Sequence, residues 1–339
     1  MSLPPSEIPL GAMRFNSDSS KLEYWNGSAW FQIHTFSPNL DGGTRAFIVG
    51  GQLAPNEAIT NRIEFITIET QGNATDFGDL TTTFGSAGQG FASRTRGFQA
   101  GGYSYNPHPT NYMNNIDFWT VSSTGSAQDF GDLLLTHQSC SALANTTRGI
   151  ITPGSNPNPA SNVIQYVTMA TTGNAIDFGD LSLARTHTRG VASPTRGVNI
   201  GGRNPSNVNT MDFITIASLG NAQDFGDNDI FGRGGNASNS IRGIIGGASP
   251  AVITIKFITI ATKGDSVNFG DMTTIRSDAF AGASRTRVCI GGGKHGTGNT
   301  SNIIDYVNIA TEGDAVDFGD LVQGSNEQSG CSSGHGGLG

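Results

Sequence analysis

The stretch TDFGDL, from Thr75 to Leu80, decides the reading of this chain because it returns five more times: QDFGDL from Gln128, IDFGDL from Ile176, QDFGDN from Gln223, NFGDM from Asn268 and VDFGDL from Val316. The phenylalanines of the six copies, Phe77, Phe130, Phe178, Phe225, Phe269 and Phe318, stand 44 to 53 residues apart. Self-similarity at such a period marks a repeat architecture, in which one supersecondary unit is copied and stacked. Each copy follows an apolar, β-branched run: IEFITIET from Ile63, IDFWTVSS from Ile116, IQYVTMAT from Ile164, MDFITIAS from Met211, IKFITIAT from Ile255 and IDYVNIAT from Ile304. A glycine turn such as TGNA or KGDS joins run to phrase, which is a β-hairpin signal.

Further upstream, each repeat carries a second strand opened by arginine and often ended by glycines: RAFIVGG from Arg45, RGFQAGG from Arg96, RGIITPG from Arg148, RGVNIGG from Arg196, RGIIGG from Arg242 and RVCIGGG from Arg287. Before it lies a first strand of small residues, as in Gly90–Ser93, Gly190–Ser193 and Ala281–Ser284. Four short strands in a repeat of about fifty residues predict an all-β fold, a six-bladed β-propeller over residues 41–339. The chain enters this array at a second strand and leaves after a first-strand-like GCSS, Gly330–Ser333. The C-terminal strand is therefore expected to complete the first blade and to cover edges that would otherwise offer unpaired backbone.

The double glycine closing the second strand, with four strands per blade, resembles the kelch family over roughly residues 41–339. The resemblance implies a kelch-like propeller. The Tyr and Trp signature of that family is not kept in register here and FGDL is not one of its standard elements, so kelch biology does not follow from the fold.

Composition narrows the function classes. With 48 glycines and 14% charged residues the chain does not read as helical or α/β material. The formal net charge is −8 and the lysines are Lys21, Lys256, Lys263 and Lys294 alone, which disfavours a nucleic-acid partner. Cys140, Cys289 and Cys331 have no metal-knuckle or redox spacing and are expected as packed thiols. MSLPPSEIPLGAMRFN has neither a basic n-region nor an apolar run, and no later stretch is long enough to span a bilayer. Folding in a cytoplasm without membrane insertion is the expectation.

The residues do not assemble into a familiar catalytic set. The DFG triplet lacks the glycine-rich loop, strand lysine and HRD loop of a protein kinase. Carboxylate pairs such as Asp76 and Asp79 could bind calcium, but turn amides and the repeated arginines are the stronger expected partners. His34, His108, His137, His187, His295 and His335 are dispersed, with neither a copper-oxidase ligand set nor sialidase repeats beside them. No enzyme, cofactor or metal site is expected.

What differs between repeats is the connection from second to third strand, which alternation puts on the same rim as the fourth-to-first connection. Candidate ligand-binding residues there are Tyr103, Tyr105, His108 and Tyr112 in the longest loop, Asn156 and Asn158, Arg203 and Asn204, and Lys294 and His295. Tyrosines among Asn and Pro suit stacking on sugars or contact with protein, and also suit a merely solvated loop.

Residues 1–40 read as a small β module: GAMRFNSDSSKLEYWNGSAWFQI, Gly11 to Ile33, alternates short strands with SDSS and NGS turns. Leu22, Tyr24, Trp25, Trp30 and Phe31 are more apolar surface than so few strands can bury, marking an attachment segment. The segment, with the TRG, GG and GNAxDFGDL phrases downstream, resembles tail-fibre and other structural proteins of bacteriophages, especially those of marine cyanobacteria. That resemblance implies a non-enzymatic virion protein (tail fibre, tail accessory or head-surface attachment) assembled in the host cytoplasm. Residues 1–40 would contact other virion proteins or a second copy, and the rim a host-surface glycan or protein. The alternatives are a carbohydrate-binding lectin or adhesin, for which no export signal is seen, and an intracellular kelch-type interaction adaptor.

Overall fold

The computed structural model describes residues 8–16, 21–32, 43–84, 88–104, 111–154, 160–232, 234–296 and 298–339. The chain is all-β and divides into two compact units, Met1–Gly42 and Gly43–Gly339. No helix among the described residues is long and apolar enough to cross a membrane.

The first unit is an antiparallel sheet of β1 (Met13–Asn16), β2 (Lys21–Trp25) and β3 (Trp30–Gln32), with β2 in the centre. Asn26 makes the tight turn between β2 and β3, its side-chain oxygen accepting from the amides of Ser28 and Ala29 at 2.9 and 2.8 Å.

Among the described residues the second unit holds six antiparallel sheets of four principal strands each, ordered first, second, third, fourth across the sheet and, in sheets two to six, along the chain. The first strands are Gln89–Ala92, Ser141–Ala144, Arg189–Ala192, Gly235–Ser238 and Phe280–Ala283 in sheets two to six. Sheet one takes its first strand from the other end of the chain: Ser329–Ser332 pairs with Arg45–Val49, and Ser325–Asn326 pairs with Gln52–Leu53. The expected use of the C-terminal strand is therefore seen directly. The first strand of each sheet also neighbours those of the sheets before and after it, and Ser329–Ser332 lies beside those of both sheet six and sheet two. Their residues are mostly small, but Phe91 and Phe280 are buried exceptions, and Phe91 stacks on Phe98 at 4.8 Å.

The repeated phrase is a clasp between consecutive sheets. The glycine of each third-to-fourth turn donates its amide to the carbonyl of the FGD phenylalanine in the preceding sheet. Examples are Gly125 to Phe77, Gly220 to Phe178 and, from sheet one back to sheet six, Gly72 to Phe318, at 2.9 to 3.0 Å. The FGD glycines hold φ between +142° and +158°, and a Cβ on Gly179 would meet the carbonyl oxygen of Gly220 at 2.5 Å. Glycine is thus required by both conformation and contact. The phenylalanine ring is buried edge-to-face against the aromatic residue of its own third strand, as in Phe65–Phe77 at 5.8 Å and Tyr306–Phe318 at 6.0 Å.

The repeated arginines correct one expectation. They do not pair with the FGD aspartates: each guanidinium lies over the third-strand aromatic of its own sheet and donates to carbonyls at the end of the third strand of the next. Arg45 reaches Val121 O at 2.6 Å, Arg148 reaches Ile216 O at 2.8 Å, and Arg287 reaches Ile68 O and Glu69 O of sheet one at 3.2 and 3.0 Å. The carbonyl ends of apolar strands need donors, and a planar guanidinium can stack and donate at once.

A third series uses the polar residue set inside each apolar run. Asp117, Gln165, Asp212, Asp305 and Glu64 each accept the amide of the residue following the FGDL phrase of the preceding sheet, from Thr81, Leu134, Ser182, Thr273 and Val322, at 2.7 to 3.2 Å. In sheet five the residue is Lys256, and the preceding sheet supplies Asp229 to pair with it. Arg185 and Arg276 add salt bridges to Asp212 at 2.9 Å and Asp305 at 2.7 Å, all four side chains essentially inaccessible.

Two histidines make the fold acid-sensitive. His137 is 1% exposed, and neither ring nitrogen has a partner among the described residues. Burial lowers its pKa from 6.5 to about 4. The unfolded chain therefore binds a proton below pH 6.5 that the folded chain refuses until about pH 4, so stability falls with pH across that window, by about 3 kcal/mol at most for this group. His335 behaves alike: its Nδ1 accepts from the Gly337 amide, leaving Nε2 to donate to Ala92 O at 2.7 Å, and its pKa is also lowered to about 4. Burial raises the carboxyls of Glu64 and Asp117, an opposing dependence toward the acid end. Urea melts from pH 7 to 4.5 should lose less stability in His137→Gln than in the wild type, and parallel curves would refute the assignment.

Candidate functional site

Because the inter-sheet contacts recur in every repeat, the freedom to specialise lies in the hairpins from second to third strand. Their double glycines receive the connection that enters each first strand. Gly292 and Gly293 hold φ of +63° and +89°, and a Cβ on Gly293 would overlap the carbonyl of Ser277. Ser277 and Lys294 consequently exchange backbone hydrogen bonds at 2.9 and 2.8 Å, as do Thr186 and Arg203 at 3.0 and 2.8 Å. Hairpins and connections thus share one rim.

Strands extend further into these hairpins than their composition suggests. Arg96–Ser104 continues past its glycines to meet Asn111–Thr120, with a register shift between Met113 and Ile116. Tyr103 stands directly opposite Tyr112 in that ladder. Tyr105, His108, Asn156 and Asn158 lie outside the described residues.

The remaining candidates divide into two groups. Tyr103 and Lys294 both converge on the sheet-one hairpin. Gln52 Nε2 donates to Glu327 Oε2 at 3.0 Å and lies 3.4 Å from the Tyr103 hydroxyl, which is also 3.4 Å from Glu327 Oε2. Lys294 Nζ donates to Glu57 Oε1 at 3.1 Å. Arg203 and Asn204 are on sheet four: Arg203 serves its own hairpin, donating to Pro205 O at 2.8 Å, and Asn204 donates at 2.5 Å to Ala184 O in the connection that enters the sheet's first strand. His295 is part of a turn, its amide bonded to Asn299 O at 2.8 Å.

Gln52, Glu57 and Glu327 were not among the candidates read from sequence. Glu57 stands out as a non-glycine residue at φ of +52° in the hairpin itself, whereas the positive φ of Glu327, +56°, recurs at Ser139, His187 and Asp278, each two residues before a first strand, and belongs to the repeat. Tyrosine, amide, carboxylate and ammonium groups side by side offer hydrogen-bond donors and acceptors around aromatic surface, the chemistry of sugar or polypeptide recognition.

The space between the first strands is too small to compete. It encloses about 50 Å³ lined by Phe91, Leu143, Val191, Asn236, Cys331 and His335, and Gly336–Leu338 packs beside it. That volume admits water and not an organic ligand, whose pockets run to about 300–1,000 Å³. A cavity of about 360 Å³ lies by the first-to-second turns, lined by Arg94, Arg96, Met169 and Leu338, among others. Both arginines already donate to backbone carbonyls there.

Among the described residues no group of three or more His, Cys, Asp or Glu side chains is placed to hold a metal ion. The three cysteines are buried, which pushes the Cys140 and Cys331 thiols up to about 12. In the first unit the five attachment residues separate: Leu22, Tyr24 and Phe31 are exposed on one face, while Trp25 is buried on the other with its ring 5.6 Å from Trp30. Compared with known proteins, the chain matches no protein-family model and no curated sequence.

Proposed function

We propose that the six sheets are the blades of a closed, kelch-like β-propeller serving as a non-enzymatic structural and recognition component of a bacteriophage particle. The observation that carries the closed arrangement is the return of three contact series, amide clasp, arginine and buried polar residue, from sheet six to sheet one. A scaffold so repetitive in its contacts and so variable in its rim hairpins supports recognition by the rim, with Tyr103, Tyr112, Glu57, Lys294 and Glu327 facing a host-surface glycan or protein and the buried Gln52 holding Glu327 in place. The particle assignment rests on the resemblance of the first forty residues and the GNAxDFGDL repeats to phage structural proteins, with residues 1–40 as the attachment segment.

Mass spectrometry of density-purified particles carrying the gene for this chain tests the reading. The chain should be present at fixed stoichiometry with the other structural proteins, and its absence from clean particles would overturn the assignment. Particles bearing Tyr103→Ala/Tyr112→Ala should adsorb to host cells at least tenfold more slowly, with the melting temperature of the isolated protein nearly unchanged.

A further inference from the structure

The three-stranded sheet of the first unit has two unlike faces. Met13, Tyr24 and Phe31 are register partners across β1, β2 and β3, and Phe15 pairs with Leu22, so all five point to one side. That side is open: Met13 is 59% exposed, Phe15 66%, Phe31 48%, Tyr24 39% and Leu22 37%, with Leu10 just before β1 at 78%. On the other face Arg14 pairs with Glu23 at 2.9 Å and lies 4.2 Å from the Trp30 ring, and Trp25 and Glu23 are buried. The Asn16 amide and the Arg14 guanidinium hold the Glu23 carboxyl below its ordinary range.

We propose that the apolar face is covered by a second copy of the same module, making a two-layer, six-stranded sandwich that joins two chains. Area, charge and layer count favour a copy over an unlike partner. The exposed side chains offer about 600 Å² of mostly apolar surface, the upper end of what a monomer ordinarily leaves bare. Two such faces together bury about 1,200 Å², the lower bound of a specific stable interface. Among the described residues Arg14 and Glu23 pair with each other on the opposite side, so these groups select no oppositely charged partner for the face and a two-fold brings none of them into like-charge contact. Strands of three to five residues need a second apolar layer to persist, and an identical sheet packed about 10 Å away supplies one. This concerns the module proposed above as the attachment segment, but it stands or falls independently of any particle.

Sedimentation equilibrium on the full chain from about 1 to 100 µM, a range that spans ordinary specific affinities, is the first test. The wild type should reach twice the chain mass, and Phe15→Glu/Phe31→Glu should remain at the mass of one chain while the second unit melts as in the wild type. A wild type that stays monomeric throughout overturns the proposal. Because the double variant could disturb the module itself, Tyr24→Cys, on the central strand, supplies a second reading. The native cysteines are buried, so a bifunctional thiol reagent long enough to bridge two sheets about 10 Å apart should yield a covalently linked dimer on denaturing gels. A dimeric Tyr24→Cys protein that does not cross-link would place the contact elsewhere and refute this interface.

Discussion

Removing residues 328–339 should abolish the cooperative unfolding of the second unit, or lower its melting temperature by roughly 10 °C or more with aggregation. The deletion takes away the strand Ser329–Ser332, which pairs with Arg45–Val49 through four register partners and packs beside the first strands of sheets two and six. Each lost backbone bond costs about 0.5–1.5 kcal/mol. Cys331, buried in the middle of this strand, belongs to the cluster of Phe47, Phe77 and Trp119, and its loss uncovers that apolar surface. The deletion further removes His335 and the Gly336–Leu338 turn, which packs on the first strands of sheets three, four and five. The exposed edge of Arg45–Val49 is then free to pair with another chain, so aggregation is the characteristic outcome. Light scattering with thermal denaturation measures it. A truncated chain that stays monomeric and melts as the wild type would mean that sheet one does not depend on its C-terminal strand.

That strand could be anticipated from sequence because its signal is local: GCSS looks like the other small-residue strands, and the opening repeat lacks one. The FGD phrase was equally legible as a packing element, through its recurrence. The partner of the arginines was not, because a backbone carbonyl carries no residue identity and the acceptor lies more than sixty residues away in every sheet. The polar residue inside the third strand was visible six times, as Glu64, Asp117, Gln165, Asp212, Lys256 and Asp305, yet its meaning depends on a group of the preceding sheet, an amide in five cases and the Asp229 carboxylate for Lys256. At the rim, Tyr103 was found by composition, whereas Glu57 is distinguished by a backbone conformation that no residue name reveals, and Glu327 by contacts with residues far from it in sequence. In the first unit, proximity in sequence grouped Trp25 with Tyr24, and strand alternation puts them on opposite faces.

The buried pair Arg185–Asp212 should be costly to break and cheap to replace as a unit. Asp212 is inaccessible and accepts from Arg185 at 2.9 Å and from the Ser182 amide and hydroxyl at 3.1 and 2.7 Å. Burial lowers the Arg185 pKa while Asp212 opposes that shift, as expected of a guanidinium held out of water by one carboxylate. Two of its nitrogens, Nε and Nη1, have no partner among the described residues, so the pair carries a desolvation cost that its single bridge only partly offsets. Arg185→Met leaves the Asp212 charge buried with Ser182 alone and should cost about 3–5 kcal/mol. Arg185→Met with Asp212→Leu removes both charges at similar volume and should recover most of that loss, the Ser182 amide accounting for a residual of about 1–3 kcal/mol. Urea denaturation of the single and double variants gives the coupling directly. If the double variant is less stable than Arg185→Met alone, the pair is not cheap to replace as a unit and the ion pair is a net source of stability.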